Sequence, residues 1–170
     1  MNTLLTVTLA GEDHPQLINT LAAKTHELGG KWLVSKINRL DNQVVGILKI
    51  DLPTEAVPVL KQAFASQSTL DVRVIEALTA QAQIKTDHVM MKVESADRPG
   101  LVHDLTHILD NIGIGIVKME NHRIGVQDIG KTLFFAELHL DVPVDIDTEQ
   151  LVEALQQVEE GMRVSILENA

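Results

Sequence analysis

The chain contains no cysteine and no tyrosine, and its other aromatic residues amount to three Phe and one Trp among 170 positions. The absence of thiols excludes disulfides, thiolate metal ligands and a cysteine nucleophile, and is compatible with a reducing compartment. The scarcity of aromatics means that any core is aliphatic. No apolar run approaches the roughly 18–20 residues of a membrane-spanning helix, so no membrane association is expected. The opening Met1-Asn2-Thr3-Leu4-Leu5 has neither a basic head nor a cleavage-like site, so a cytoplasmic location is expected rather than secretion. Positive charge is also short. Fourteen Lys and Arg are scattered among 24 Asp and Glu, for a formal net charge of −10. Nucleic-acid binding draws on clustered basic side chains that displace counterions, so direct DNA binding is not expected.

Hydrophobic residues make up 45% of the chain and charged ones 22%, a balance that supports a packed core and does not suggest disorder. The pattern along the chain repeats. Residues 3–10 alternate Leu5, Val7, Leu9 against Thr6, Thr8, as a strand with one buried face does. A helix is predicted from Pro15 to about Leu28, with Leu17, Leu21 and Leu28 inward and Gly29-Gly30 ending it. Strands follow over Trp32–Leu40 and Val44–Leu52, joined at Asp41-Asn42-Gln43 by a tight turn. A second helix runs from Pro53-Thr54 to about Ser66 with Val57, Leu60 and Phe64 inward, and a strand covers 70–78. The order is β-α-β-β-α-β.

After the polar stretch Gln81–Thr86 the same order returns. Val89, Met91 and Val93 stand 84 positions after Leu5, Val7 and Leu9, and Gly113 stands 84 after Gly29 (113 − 29 = 84). Farther on the offset is 90, as between Pro53 and Pro143 (143 − 53 = 90). The difference of six residues is expected as an insertion at Gly125–Gly130, a longer hairpin loop between the second and third strands of the second copy. Asp147-x-x-Gln150 resembles a capping box for the last helix, in which Leu151, Leu155 and Val158 point inward; Val164 and Ile166 mark the last strand. The expected fold class is α+β: two ferredoxin-like βαββαβ sandwiches over 1–80 and 86–170 with 81–85 as linker. Each is a four-stranded antiparallel sheet carrying both helices on one face. The mixed polarity around Ile37 and Ile47 suggests that the other face is partly covered.

Both copies carry a matched turn from first strand to first helix: Asp13-His14-Pro15-Gln16-Leu17-Ile18 and Asp97-Arg98-Pro99-Gly100-Leu101-Val102. Unpaired N–H groups and the positive end of the helix dipole suit such a turn to a small carboxylate. A plainer reading makes Asp13 and Asp97 helix caps, with Pro15 and Pro99 at the favoured first position.

The motif Asp-Arg-Pro-Gly-Leu-Val, followed by a helix ended by Gly, two strands, a helix and a strand, resembles the ACT domain, a family of small regulatory modules that bind amino acids. The second copy matches that motif closely over Ala96–Gly113; the first has His14 for the Arg and Gln16 for the Gly. The free-standing tandem is similar in layout to the glycine cleavage system transcriptional repressor family. That resemblance implies glycine or a similar amino acid as signal and repression through a partner transcription factor, without enzymatic activity or cofactor. It implies an effector site at Asp97, Arg98, Pro99, Gly100, Leu101 and Val102, with Asn121 or His122 from the second strand. In the first copy the counterparts are Asp13, His14, Pro15, Gln16 and Leu17, with Asn38. Backbone N–H groups would receive the carboxylate, Asp or Asn the ammonium, and Gly100 would allow close approach. The second turn is the stronger candidate, because Gln16 brings a side chain where Gly100 has none.

Other motifs point to nothing further. His103-Asp104-Leu105-Thr106-His107 imitates a zinc-protease helix, but its acid is Asp and no third ligand is indicated. With Leu101, Leu105, Ile108 and Ile112 as the buried stripe, both His are expected on the solvated side, and no metal site follows. Ser35, Ser95 and Ser165 lack a nucleophile-elbow context. The alternative roles are a protein-interaction module, with or without homo-oligomerisation, and a detached regulatory subunit of an amino-acid metabolic enzyme.

Overall fold

The computed structural model describes residues 1–76 and 84–167. The chain divides into two compact units, Met1–Gln81 and Ala82–Ala170. Most of the expected linker (81–83 of 81–85), and the end of the strand expected to reach residue 78, lie outside the described residues.

In the first unit β1 (Asn2–Glu12), α1 (Leu17–Glu27), β2 (Lys31–Leu40), β3 (Gln43–Pro53), α2 (Val57–Ala65) and β4 (Leu70–Glu76) follow in order. The second repeats the order with β5 (Thr86–Ala96), α3 (Leu101–Ile112), β6 (Gly115–Val126), β7 (Lys131–Pro143), α4 (Thr148–Gln156) and β8 (Arg163–Leu167). The sheets run β2-β3-β1-β4 and β6-β7-β5-β8, with every neighbouring pair antiparallel. Both helices of a unit cover one face. The sequence period explains why: in β3 every second residue from Val44 to Leu52 is buried, and the residues between them are exposed or half-buried. In the helices Leu17 and Leu21, Val57, Leu60 and Phe64, and Leu151 and Leu155 are buried at helical spacing.

Each unit has its own aliphatic core. Leu5, Val7, Leu48, Ile50, Leu60 and Phe64 are fully buried in the first, and Met91, Val93, Leu101, Leu109, Leu138 and Leu155 in the second. Every such side chain contributes about 1.5–3 kcal/mol by leaving water. The lone Trp32 is half-buried beside the first core, where its indole N–H donates to Thr25 Oγ1 (3.0 Å). Gly113 ends α3 at φ 82°, a left-handed cap of the kind expected. Asp147 caps α4 by accepting from the N–H of Glu149 (3.0 Å).

Several expectations change. Helices α1 and α3 begin at Leu17 and Leu101, two residues after the prolines, and their N-caps are Gln16 and Gly100 in left-handed conformation (φ 70° and 84°) with no side-chain cap. Asp13 and Asp97 therefore do not cap these helices. The buried stripe of α3 is Leu101, Leu105 and Leu109, while Ile108 is half-buried and Ile112 exposed. Ile37 packs against the core, and only Ile47 lies on the open sheet face. Ile166 is also exposed. The six extra residues of the second copy do not form a long loop. β6 has 12 residues against 10 in β2, β7 has 13 against 11 in β3, and the turn 127–130 has four residues against two. The insertion lengthens a paired hairpin, with Gly125 opposite Thr132 and Val126 opposite Lys131.

Candidate functional site

The sheet order decides which side chains meet the first turn of each unit. β1 pairs with β3, so the end of β1 lies beside the hairpin that starts β3: Glu12 is opposite Gln43, and Ala96 opposite Leu133. The turn is then tied to that hairpin by the backbone. The N–H of Asp13 donates to the carbonyl of Asn42 (2.8 Å), and that of Asp97 to the carbonyl of Thr132 (2.9 Å).

One strand farther out, Arg39 is opposite Val44 and Arg123 opposite Phe134, both on the helix-bearing face. Each Arg reaches diagonally across the middle strand to the Asp of the turn. Arg123 Nε donates to Asp97 Oδ1 (2.9 Å), and its guanidinium carbon lies 5.3 Å from the centre of the buried Phe134 ring. In the first unit Arg39 stands 3.8 Å from Asp13, above the smaller Val44, too long for a hydrogen bond. Arg39 and Arg123 are 84 positions apart (123 − 39 = 84), like Asp13 and Asp97, so the same pair occurs at the same place in both units.

The Arg98 side chain turns away from this pair. It donates to Glu159 in the loop before β8, to Asp104 in the first turn of α3 (2.9 Å) and to the carbonyls of Val158 and Pro99 (2.9 Å each). Glu159 foremost, with Asp104, raises the Arg98 pKa above its ordinary value, and the charge stays fixed. The Asp104 carboxyl is held below the usual carboxylate range, chiefly by the hydrogen bond from His103 (3.2 Å) and then by Arg98. Arg98 thus clasps the turn to the end of α4. The first unit has no such clasp, since His14, Thr20 and Thr69 stand at the matching positions, and His14 Nδ1 lies 2.9 Å from the carbonyl oxygen of Pro15.

An open hollow of about 540 Å³ lies over the second turn, lined by Asp97, Arg98, Pro99, Arg123, Lys131 and Thr132 with Ala96. Its counterpart of about 520 Å³ over the first turn is lined mainly by Asp13, His14, Pro15, Gln16, Arg39 and Asp41. Of the expected residues, Asp97, Arg98 and Pro99 line the second hollow, whereas Leu101 is fully buried and Val102 packs on the core. Gly100 caps the helix and is not among the residues lining the hollow. Leu17 lines the first hollow but is itself buried. Asn121 is half-buried two residues before Arg123 on β6, opposite Ala136. His122 lies on the opposite face, 3.2 Å from Glu120, and Asn38 likewise is exposed on the open face opposite Val45. Sequence reasoning did not single out Arg39, Arg123 or Lys131; the 84-residue spacing of two arginines was the signal available.

His103 and His107 are exposed, with their rings stacked 5.9 Å apart. Among the described residues no group of three or more His, Asp or Glu is arranged to hold a metal ion, and no helix is long and apolar enough to cross a membrane.

The class that the fold defines is a tandem of two ACT-like α+β units. The whole chain superposes on a protein from Galdieria sulphuraria described only as unknown, with a TM-score of 0.87, 20% identity and 100% of both chains covered. It also superposes on a "putative glycine cleavage system transcriptional repressor", with a TM-score of 0.64, 19% identity and 99% of both chains covered. Identities at this level establish a shared fold. No protein-family model and no curated protein matches the sequence.

Proposed function

We propose that this protein is a non-catalytic sensor of an amino acid, with the hollow over the second turn as its principal site. The observation that carries this reading is the Asp97–Arg123 pair, repeated as Asp13–Arg39, set beside a turn that opens a helix. A free amino acid carries one carboxylate and one ammonium. An adjacent guanidinium and carboxylate complement both, and exchanging the internal pair for a zwitterion leaves every charge matched. Gly100, next in the chain to the lining residue Pro99, brings no side chain to the turn.

The shared fold with the glycine cleavage repressor supports glycine as the signal and transcriptional repression as the output. With 24 acidic residues against 14 basic ones, repression is read as acting through a partner transcription factor. The ligand would act by binding one packing arrangement of sensor and partner better than another. Calorimetric titration of the full chain with glycine tests the site. Saturable binding that Asp97→Ala weakens at least about tenfold is expected from loss of a charge-assisted contact. Unchanged affinity in that variant would remove Asp97 from the site.

A second reading, a docking module without a ligand, is favoured by the open sheet face of the first unit, where Val34, Val45 and Ile47 are each about half exposed. It predicts a stable complex with a protein partner that no amino acid alters.

A further inference from the structure

The two hollows match at the Asp–Arg pair and differ one residue into the hairpin. Lys131 lines the second; at the matching position of the first stands Asp41 (131 − 90 = 41), held at φ 53° in the tight turn. With His counted as neutral, the lining of the second hollow sets Arg123 and Lys131 against Asp97 alone, beside an Arg98 whose partners Glu159 and Asp104 lie outside the lining. The first sets Arg39 against both Asp13 and Asp41. One hollow therefore has a cation in excess and the other an anion.

The geometry sharpens the difference. Asp97 engages only the Nε of Arg123, and among the described residues no acceptor takes its two terminal nitrogens, which are free to grip a carboxylate in fork geometry. The guanidinium lies over the ring of Phe134, which favours a cation there. Lys131 lines the hollow as a second, adjustable cation. In the first unit the looser Arg39 has no ring beneath it, and Asp41 repels what Lys131 would attract.

We propose that the second hollow is selective for the ligand's carboxylate, with Arg123 as its anchor and Lys131 as the specificity determinant, and that Asp41 withholds this selectivity from the first hollow. The inference rests on the reading of these hollows as amino-acid sites and adds which end of the amino acid decides binding. A ligand keeping its carboxylate and lacking its ammonium still binds the second unit; one keeping only the ammonium does not.

The test is an NMR titration of the full chain with three probes: glycine, N-acetylglycine, which is an anion, and glycinamide, which is a cation. Glycine is expected to shift the amides of Ala96–Arg98, Gly100, Arg123 and Lys131, N-acetylglycine to do so about tenfold more weakly for want of the ammonium that Asp97 receives, and glycinamide at least about tenfold more weakly than N-acetylglycine. Lys131→Asp should weaken N-acetylglycine by about tenfold or more, since it reverses a charge in the lining of the hollow, while Lys131→Arg should retain it. Asp41→Lys should make the amides of Asp13, His14, Gln16 and Leu17 respond to N-acetylglycine. Equal binding of glycinamide and N-acetylglycine at the second turn, or indifference to Lys131→Asp, overturns the charge selection and leaves the amino-acid reading standing if glycine binds. Silence to all three probes overturns both.

Discussion

The first turns of the two units offer a reciprocal stability experiment, because one conformation is occupied by different residues. Gln16 and Gly100 both cap their helices in the left-handed region, at φ 70° and 84°. A residue with a Cβ costs roughly 1–2 kcal/mol there, and glycine is close to strain-free. Glycine also gives the unfolded chain more freedom, worth about 0.4–1 kcal/mol in the opposite sense. A Cβ built on Gly100 meets only Arg98 Nη1, at 3.6 Å, so crowding adds nothing to the conformational cost. Gln16→Gly should therefore stabilise the first unit by about 1 kcal/mol and Gly100→Ala destabilise the second by about 1 kcal/mol. In urea each amounts to a midpoint shift of about 1 M for a unit of this size, and on heating to about 4–8 °C. Trp32, the only tryptophan, sits against the first core and reports Gln16→Gly by fluorescence; circular dichroism follows Gly100→Ala. A lower midpoint for Gln16→Gly would refute the reasoning, because strain relief would then be smaller than some contact that the Gln16 side chain makes.

Leu105 is buried beneath α3, and Leu105→Ala should cost about 2–5 kcal/mol in a denaturation curve through lost burial and the cavity left behind. Stability should also respond to acid through Asp104. Its folded-state pKa lies below the ordinary carboxylate value of 3.8, first through His103 and then through Arg98. A depressed pKa means that the contribution is complete above the unfolded-state value and is lost as pH falls through the folded-state one. Below about pH 4 the wild type should therefore lose stability more steeply than Asp104→Asn, measured by urea titration across that range. In the same acid range the Asp104 carboxyl resonance should titrate below 3.8 and move back up in His103→Gln.

The repeat was legible because burial follows local period. Leu5, Val7 and Leu9 alternate, Leu17 and Leu21 recur one turn apart, and each set returns 84 positions later; all are buried in the structure except the half-buried Val89. The Asp-x-Pro turns were legible as places where a strand hands over to a helix. Their side-chain roles were not. Which β2 residue faces the turn depends on the order β2-β3-β1 and on an arginine long enough to cross the middle strand, and neither is a local property. The Arg98 clasp has the same character, since Glu159 approaches only when α4 packs beside α3. The capping expectation failed for a backbone reason: a left-handed residue at Gln16 and Gly100 starts the helix later than a proline at its first position would. The extra hairpin residues read as loop because two glycines bracket them, yet Gly125 pairs in the ladder.

Thermal melts of the purified full chain against a panel of the twenty amino acids, with glycine titrated over a wide range, show whether the folded protein binds an amino acid. A ligand that binds only the folded state stabilises it by about 2.7 kcal/mol at one hundred times its dissociation constant, and the melting temperature rises with its concentration. A selective, concentration-dependent rise with glycine is expected, displaced to at least about tenfold higher concentration in Asp97→Ala. Melting temperatures indifferent to every amino acid would contradict it and leave a module that acts through protein contacts alone.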